Sequence, residues 1–382
     1  MTLVCFSSKL FFLHLPILIL FSQIIMEQRG MQWLAGLSFL AVLCSLWMLR
    51  PSKQVFAQKA VYHWKSSYHK SSYPSSIDSF LLNQGIQKMY IKMLDVDYSL
   101  AAGVFPASKT QFYYYAEKGA DSLNYIPVVY ITNEVLKHIT PANVTDYAEK
   151  FLAHALRIQT YTQRWPKEIQ LDCDWTKATR HAYFTLIENM RKLAPQFSYS
   201  ATLRLYPYKY YQELGVPPVN RVMLMLYNLE NAKQLKSRNS LFSLNEAQKY
   251  LKRNSYPLPM DVALPVFSWT LIFRNGMFLR VLSDNIVSNI LAETGDAAPL
   301  EKLAENTYLV KESMRSYNDY HLQAGDVLKV ESCGQTELVQ ANSLLRLLPL
   351  TEQSTIAIFD LDMKELNKIS HEKMEAAFTL PR

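Results

Sequence analysis

Glycine is scarce, ten residues in 382, and with 17 prolines it leaves no room for collagen-like or Gly/Pro-rich low-complexity chain. No Gly-rich turn follows the first β-like run, so the dinucleotide-binding and P-loop classes lack their fingerprint. G-x-S-x-G and H-E-x-x-H are absent as well, which removes the nucleophile elbow of the α/β-hydrolases and the helical zinc-protease site. Four cysteines exclude a disulfide-stapled miniprotein and leave little for a structural zinc site. Charged residues are only 19% of the chain, whereas hydrophobic residues are 49%, too apolar for a disordered chain. What is present is length enough for one large domain or two ordinary ones, and one α/β barrel fits comfortably.

The formal charge of +7 is unevenly spread. Residues 1–57 carry Lys9, Arg29, Arg50 and Lys53 against Glu27, leaving 36 basic against 32 acidic residues in the remainder. That balance gives no case for nucleic acid. Two uncharged apolar runs, Leu10 to Met26 and Gln32 to Leu49, fall in the same segment. Each is close to the roughly 20 residues that span a bilayer. Three readings stay open. One is a cleaved signal peptide starting at Met26 or Met31, with Val55-Phe56-Ala57 as the small-residue cleavage site. The second is an uncleaved membrane anchor, and the third a lipoprotein acylated at Cys44. All three export residues 58–382 to the periplasm or cell envelope, and the membrane is a partner only through this segment.

Beyond residue 57, β-like runs alternate with helical patterns. The runs are Ala60 to Lys65, Lys88 to Asp97, Tyr125 to Thr132, Glu168 to Trp175, Phe197 to Leu205, Val222 to Asn228, Asp261 to Trp269 and Thr355 to Asp362. Helices are expected over Tyr147 to Gln159 and Thr179 to Leu193. Another follows Ser243-Leu-Asn-Glu246, a capping box. Ser66 to Ser76 reads as a polar loop. Eight such runs predict an α/β fold, a (β/α)8 TIM barrel, with a doubly wound open sheet as the alternative. Between the seventh and eighth runs, Asn275-Gly276 marks a β-hairpin, and Gln323-Ala-Gly-Asp326 before Val327 a second. They predict an insertion at about 270–335.

Side chains at the C-terminal ends of barrel strands reach the active-site mouth. With period two, Gln170, Asp172 and Asp174 of the fourth run face inward, and Leu171, Cys173 and Trp175 face the helices. Carboxylates two residues apart on a strand lie about 6.5 Å apart, and at an effective dielectric near 20 they repel by about 2.5 kcal/mol. One therefore holds its proton more tightly, an asymmetry that suits acid/base work. It is equally the pattern of aspartates capping backbone at a strand end. Asp95 and Asp97 end the second run, and Asp360 and Asp362 the eighth. Three such pairs also fit an oxygen-ligand Ca²⁺ or Mg²⁺ site and a metal-dependent hydrolase. Thr202 and Arg204 share a face of the fifth run, where Arg204 either clamps an anion or closes a structural ion pair. Tyr227-Asn228, Ser268-Trp269 and His63-Trp64 end further runs. Trp64, Tyr227 and Trp269 at a barrel mouth suit stacking on sugar rings, or plain core packing. Cys173 has no histidine partner and reads as inert.

The segment from Glu168 to Asn228 resembles the family 18 glycoside hydrolases, the chitinase-like barrels. Leu171-Asp172-Cys173-Asp174-Trp175 matches the centre of the family's D-x-x-D-x-D-x-E strand, and Met225-Leu226-Tyr227-Asn228 matches its M-x-Y-D strand with Asn for Asp. The chain is similar also to an uncharacterised bacterial domain family of this type, with a D-x-D strand followed by an S-x-T-L-like strand. Thr176 stands where the family has its catalytic Glu, and Ile169 where it has its first Asp. The resemblance therefore implies the barrel and a carbohydrate ligand, and carries over Asp172, Asp174 and Tyr227 only as site-lining residues.

The expectation is an exported, monomeric glycoside hydrolase-like barrel that acts on or binds a carbohydrate, without cofactor, metal or nucleic acid. As an enzyme it would use Asp174 as the acid/base, tuned by Asp172. Tyr227, Asn228, Arg204, Trp64 and Trp269 would contact the sugar, with Asp95, Asp360 or Asp362 as second carboxylate. The alternatives are a non-catalytic glycan binder and an envelope interaction protein.

Overall fold

The computed structural model describes residues 57–70, 76–114, 123–251, 255–282, 285–295, 298–315 and 320–380. Both N-terminal apolar runs, and every expectation for them, lie outside the described residues. Among the described residues no helix is long and apolar enough to cross a membrane.

Eight strands form the ring: β1 (Gln58–His63), β2 (Lys88–Ser99), β3 (Asn124–Ile131), β4 (Glu168–Asp172), β5 (Ser198–Leu203), β6 (Arg221–Met225), β7 (Met260–Pro265) and β8 (Thr355–Phe359). Each pairs in parallel with the next, and β8 pairs back onto β1, with Gln58 opposite Thr355 and Val61 opposite Ile358. The sheet is closed, as the eight-run pattern predicts, and the open doubly wound alternative is excluded.

The ring is buried on both sides: its outward face is apolar, and its inward face is largely apolar outside β4 and β5, which turn Glu168, Gln170, Asp172, Ser200 and Thr202 inward. Outward residues such as Val61, Ile91, Val129, Leu171, Leu203, Leu224, Leu264 and Ile358 join the core beneath the helices. The inward set, including Ala60, Tyr62, Tyr90, Val128, Met223, Met225, Ala263 and Ala357, forms a separate inner core. The outer layer includes α1 (Ser76–Asn83), α2 (Val144–Leu156), α3 (Arg180–Leu193), α4 (Leu244–Tyr250), α5 (Gln335–Ser343) and α6 (His371–Ala377). In α3 the buried residues are Tyr183, Leu186, Ile187 and Met190, the one-sided stripe of a helix laid on a sheet. Ser243 caps α4 by accepting from the Glu246 amide.

At the N-terminal end the barrel is floored by charge. Arg221 grips Asp261 through Nε and Nη2, both at 2.6 Å, and Lys88 donates to Thr355 Oγ1 at 3.0 Å. The inner core lies between this floor and the mouth.

Between β7 and β8 a five-stranded antiparallel sheet is inserted, in the order Met277–Leu282, Phe267–Arg274, Val327–Cys333, Thr307–Val310, Leu300–Ala304. It has its own small core around Ile272, Ile286, Ile290 and Leu328. Asn275 and Gly276 turn its first hairpin at φ 52° and 74°, left-handed values that match the strand twist.

Several expectations need correction. The seventh barrel strand stops at Pro265, so Ser268 and Trp269 belong to the insertion sheet. The turn Gln323–Asp326 joins no hairpin, because Val327–Cys333 pairs with Phe267–Arg274 and Thr307–Val310 instead. Asp326 caps that turn, accepting from the Gln323 amide while paired with Arg274. The polar stretch after β1 contains a short strand, Ser67–Lys70, paired with Gln111–Tyr114. The second strand runs on past Asp97 to Ser99, where it folds back on Gly103–Lys109.

Gly215 closes the turn after β5 at φ 80°, ψ 168°, a conformation essentially reserved for glycine. A Cβ there would stand 2.8 Å from both Phe184 Cε2 and Arg180 Cδ. Gly215→Ala is expected to cost about 1–3 kcal/mol of stability, read from the denaturant midpoint.

Candidate functional site

The site is built from β4 and β5 upward. Inward-facing polar residues on the two strands meet rung by rung. Tyr62 Oη donates to Gln170 Oε1 at 2.7 Å, and Gln170 Nε2 to Ser200 Oγ at 3.3 Å. Ser200 in turn donates to the buried Glu168. One rung higher, Thr202 Oγ1 donates to Asp172 Oδ1 at 2.6 Å.

Asp172 ends β4 and is only 8% exposed. Burial and the neighbouring Asp174 carboxylate push its pKa up to about 7, against the lowering effects of Thr202 and Arg204. Asp174 stands two residues on, exposed at the mouth, and takes a two-toothed grip from Arg204, Nε to Oδ1 at 2.7 Å and Nη2 to Oδ2 at 2.6 Å. Arg204 Nη1 also donates to the Asn228 carbonyl at 3.1 Å. The two aspartates are thus in opposite environments, one desolvated and protonatable, the other paired with a guanidinium.

Thr176, in the position of the family's catalytic Glu, spends its polar groups locally. Its amide donates to Thr179 Oγ1 at 3.0 Å and its hydroxyl lies 3.2 Å from the same oxygen. Thr179 Oγ1 then donates to Asn133 Oδ1 at 2.6 Å.

Aromatic rings line the rest of the mouth. Tyr227 stacks on Phe359 at 4.6 Å between centroids, and Phe359 leans on Trp64 at 5.5 Å and on Tyr62 at 5.5 Å. Trp64 meets Tyr130 edge-on at 6.2 Å, and Lys92 Nζ sits 5.4 Å from the Trp64 ring centroid. Trp64, Tyr130, Phe267 and Phe359 are half-buried. Burial pushes the Tyr227 hydroxyl well above its usual pKa.

Asp95 reaches the mouth through a β-bulge. The pairing of β2 with β3 shifts between Lys92 and Leu94, so Leu94 and Val96 join the outer core while Asp95 sits opposite Tyr130. Lys92 Nζ pairs with Asp95 Oδ2 at 2.9 Å. Asp97 accepts from Thr132 Oγ1 at 2.8 Å. Asp360 is half-buried and accepts from the Trp64 amide at 3.3 Å, with its pKa pushed up to about 6 by burial.

Other expected residues fall elsewhere. Asp362 caps the helical turn Met363–Leu366, accepting from the Lys364 amide, so it is not a carboxylate of the mouth. Trp269 donates from Nε1 to the buried Glu331 at 3.0 Å inside the insertion. His63 donates from Nε2 to the Ser67 carbonyl at 2.8 Å, and burial lowers its pKa to about 4, leaving a neutral structural imidazole. Cys173 and Cys333 are buried free thiols, pushed up by burial. The three Asp pairs do not converge. Among the described residues no group of three or more His, Cys, Asp or Glu side chains is placed to hold a metal. Sequence reasoning missed Tyr130, Phe267 and Phe359. For Tyr130 and Phe359 the signal was present, since each continues the inward alternation of its own strand, Ile126-Val128-Tyr130 and Ala357-Phe359.

The closed parallel ring with its helices defines the class: an α/β TIM barrel. No family model matches the sequence, and no curated protein matches it. Solved structures similar to it include chitinases, a chitinase-like agglutinin and a spore cortex-lytic enzyme. The spore cortex-lytic enzyme SleL of Bacillus cereus is 12% identical, over 86% of this chain and 76% of that one, with a TM-score of 0.45. A mutant family 18 chitinase from Cycas revoluta in complex with (GlcNAc)4 is 11% identical, over 84% and 99%, at 0.40. The chitinase-like agglutinin of Robinia pseudoacacia is 10% identical, over 84% and 99%, at 0.39.

Proposed function

We propose that the barrel mouth is a carbohydrate-binding site of glycoside hydrolase type in which binding, not hydrolysis, is the main activity. The observation that carries this is the use of the acidic groups beside an aromatic wall. Glycosidic cleavage needs a carboxylic acid aimed at the leaving oxygen and a second carboxylate nearby. Asp174 is gripped by Arg204, Thr176 has no carboxyl to offer, and Asp172 lies beneath the mouth with Thr202 on one oxygen. The half-buried rings of Trp64, Tyr130 and Phe359 offer faces for sugar stacking. Asn228 Oδ1 and Asp95 Oδ1 are buried with no hydrogen-bond partner among the described residues.

A second reading, hydrolysis with Asp172 as the acid, is favoured by its pKa of about 7, which keeps a proton available at neutral pH. A glycan array combined with a hydrolysis screen on the full chain separates the two. Binding that persists in Asp172→Asn, with no product released by the wild type, supports the binder. Product release that Asp172→Asn abolishes supports the hydrolase. We further propose that the chain is exported, from its two N-terminal apolar runs.

A further inference from the structure

Beside Asp174 a cavity of about 490 Å³ opens between the β4 and β5 ends of the barrel, outside the ring of mouth aromatics. Its walls include Trp175, Tyr206, Pro207 and Leu214, and its charged groups are Asp174, Arg204 and Lys177. The volume lies within the range of small-ligand pockets. Tyr206 is 52% exposed and is backed by Tyr210 at 4.7 Å between centroids, so it presents a supported aromatic surface to the cavity. Trp175 is fixed by donating from Nε1 to the Leu214 carbonyl at 3.2 Å.

The charge balance of this cavity is specific. Asp174 and Arg204 cancel one another through two short hydrogen bonds. Lys177 is exposed and forms no ion pair among the described residues. The lining therefore carries one uncompensated positive charge next to an aromatic ring. A ligand that fits has a flat apolar face and one anionic group. A uronic acid has that combination: its C–H face stacks and its carboxylate meets the ammonium.

We infer that this cavity is a subsite for an acidic sugar residue, with Tyr206 as the stacking platform and Lys177 as the carboxylate partner. The inference rests on the carbohydrate reading above and adds a substrate class to it. Arg204 is not the carboxylate partner, because its fork is already closed on Asp174.

The test is calorimetric titration of the full chain, in a detergent without a sugar headgroup. The probes are oligo-uronates (galacturonate, glucuronate and mannuronate series), their methyl esters, and neutral oligosaccharides. The wild type is expected to prefer the matching acid over its ester by about fivefold at low salt, the range of one accessible ion pair, and to lose that preference near 1 M salt. Lys177→Gln should bring the affinities for acid and ester to the same value. Tyr206→Ala should weaken acid and ester alike, with the melting temperature of both variants reporting that the fold is kept. Equal affinity for acid and ester in the wild type overturns the inference and leaves the carbohydrate reading standing. A preference that survives Lys177→Gln does the same. Failure to bind acid, ester and neutral sugar alike overturns both.

Discussion

Asp172→Asn is expected to make the barrel more stable at pH 8 by up to about 4 kcal/mol and to change it little at pH 4. The folded protein holds the Asp172 pKa at about 7, against an ordinary value of 3.8. Well below the ordinary value of 3.8 the group is protonated whether the chain is folded or not, and its ionisation adds no cost; at pH 4 only a small part of the cost is present. Between pH 4 and 7 the unfolded chain releases the proton while the folded one keeps it, so stability falls as pH rises. Above pH 7 the full cost is present, about 4 kcal/mol by linkage. The amide cannot ionise, and it retains an acceptor for Thr202 Oγ1. Denaturant unfolding of wild type and variant at pH 4, 6 and 8 isolates this contribution, because Asp261 and Glu168, also raised by burial, are common to both. Parallel pH profiles would mean that Asp172 is ionised and solvated throughout.

Lys329→Met is expected to cost about 3–5 kcal/mol, the usual result of leaving one charge of a buried pair alone. Lys329 and Glu331 are 2.7 Å apart with side chains 2% and 0% exposed. They also tie the insertion to the loop after β6. Lys329 donates to Ser237, and Glu331 accepts from the Ser240 amide at 3.0 Å and from Trp269. Adding Glu331→Gln removes the stranded charge but keeps an acceptor for Ser240 and Trp269, so the double variant should recover most of the loss. If the single variant unfolds at the wild-type denaturant midpoint, the pair does not hold the insertion in place.

The eight-strand ring was legible because the outward face of its strands is apolar and most of the inward face is too, apart from the polar residues of β4 and β5. The β-runs stand out against amphipathic helices such as α3, and the D-x-D run shows which of its residues turn inward. The inserted sheet was legible from Asn275-Gly276, two residues that tolerate left-handed φ. The mouth was harder to read, because single-residue events decide it. Counting by twos from Tyr90 and Lys92 points Leu94 inward, and only the bulge before Leu94 brings Asp95 to the mouth instead. Val266 separates β7 from the insertion and moves Trp269 onto a different sheet, where its indole serves Glu331. Asp362 has the spacing of a paired carboxylate but lies where the chain starts a helical turn, and an aspartate there is a cap. From the sequence Asp174 is expected as the acid/base and Asp172 as its tuning neighbour, whereas in the structure it is Asp172 whose pKa is raised, while Asp174 is paired with Arg204. The direction follows from depth: the residue at the strand end is desolvated, and the one beyond it meets Arg204.

Whether the aromatic mouth holds a sugar is decided by titrating the best glycan-array ligand against wild type and Trp64→Ala. Loss of one stacking ring should weaken binding by about tenfold, the scale of a 1.4 kcal/mol contact. Affinity that is the same with and without the Trp64 indole, in a variant that melts like the wild type, would contradict a carbohydrate site at the mouth.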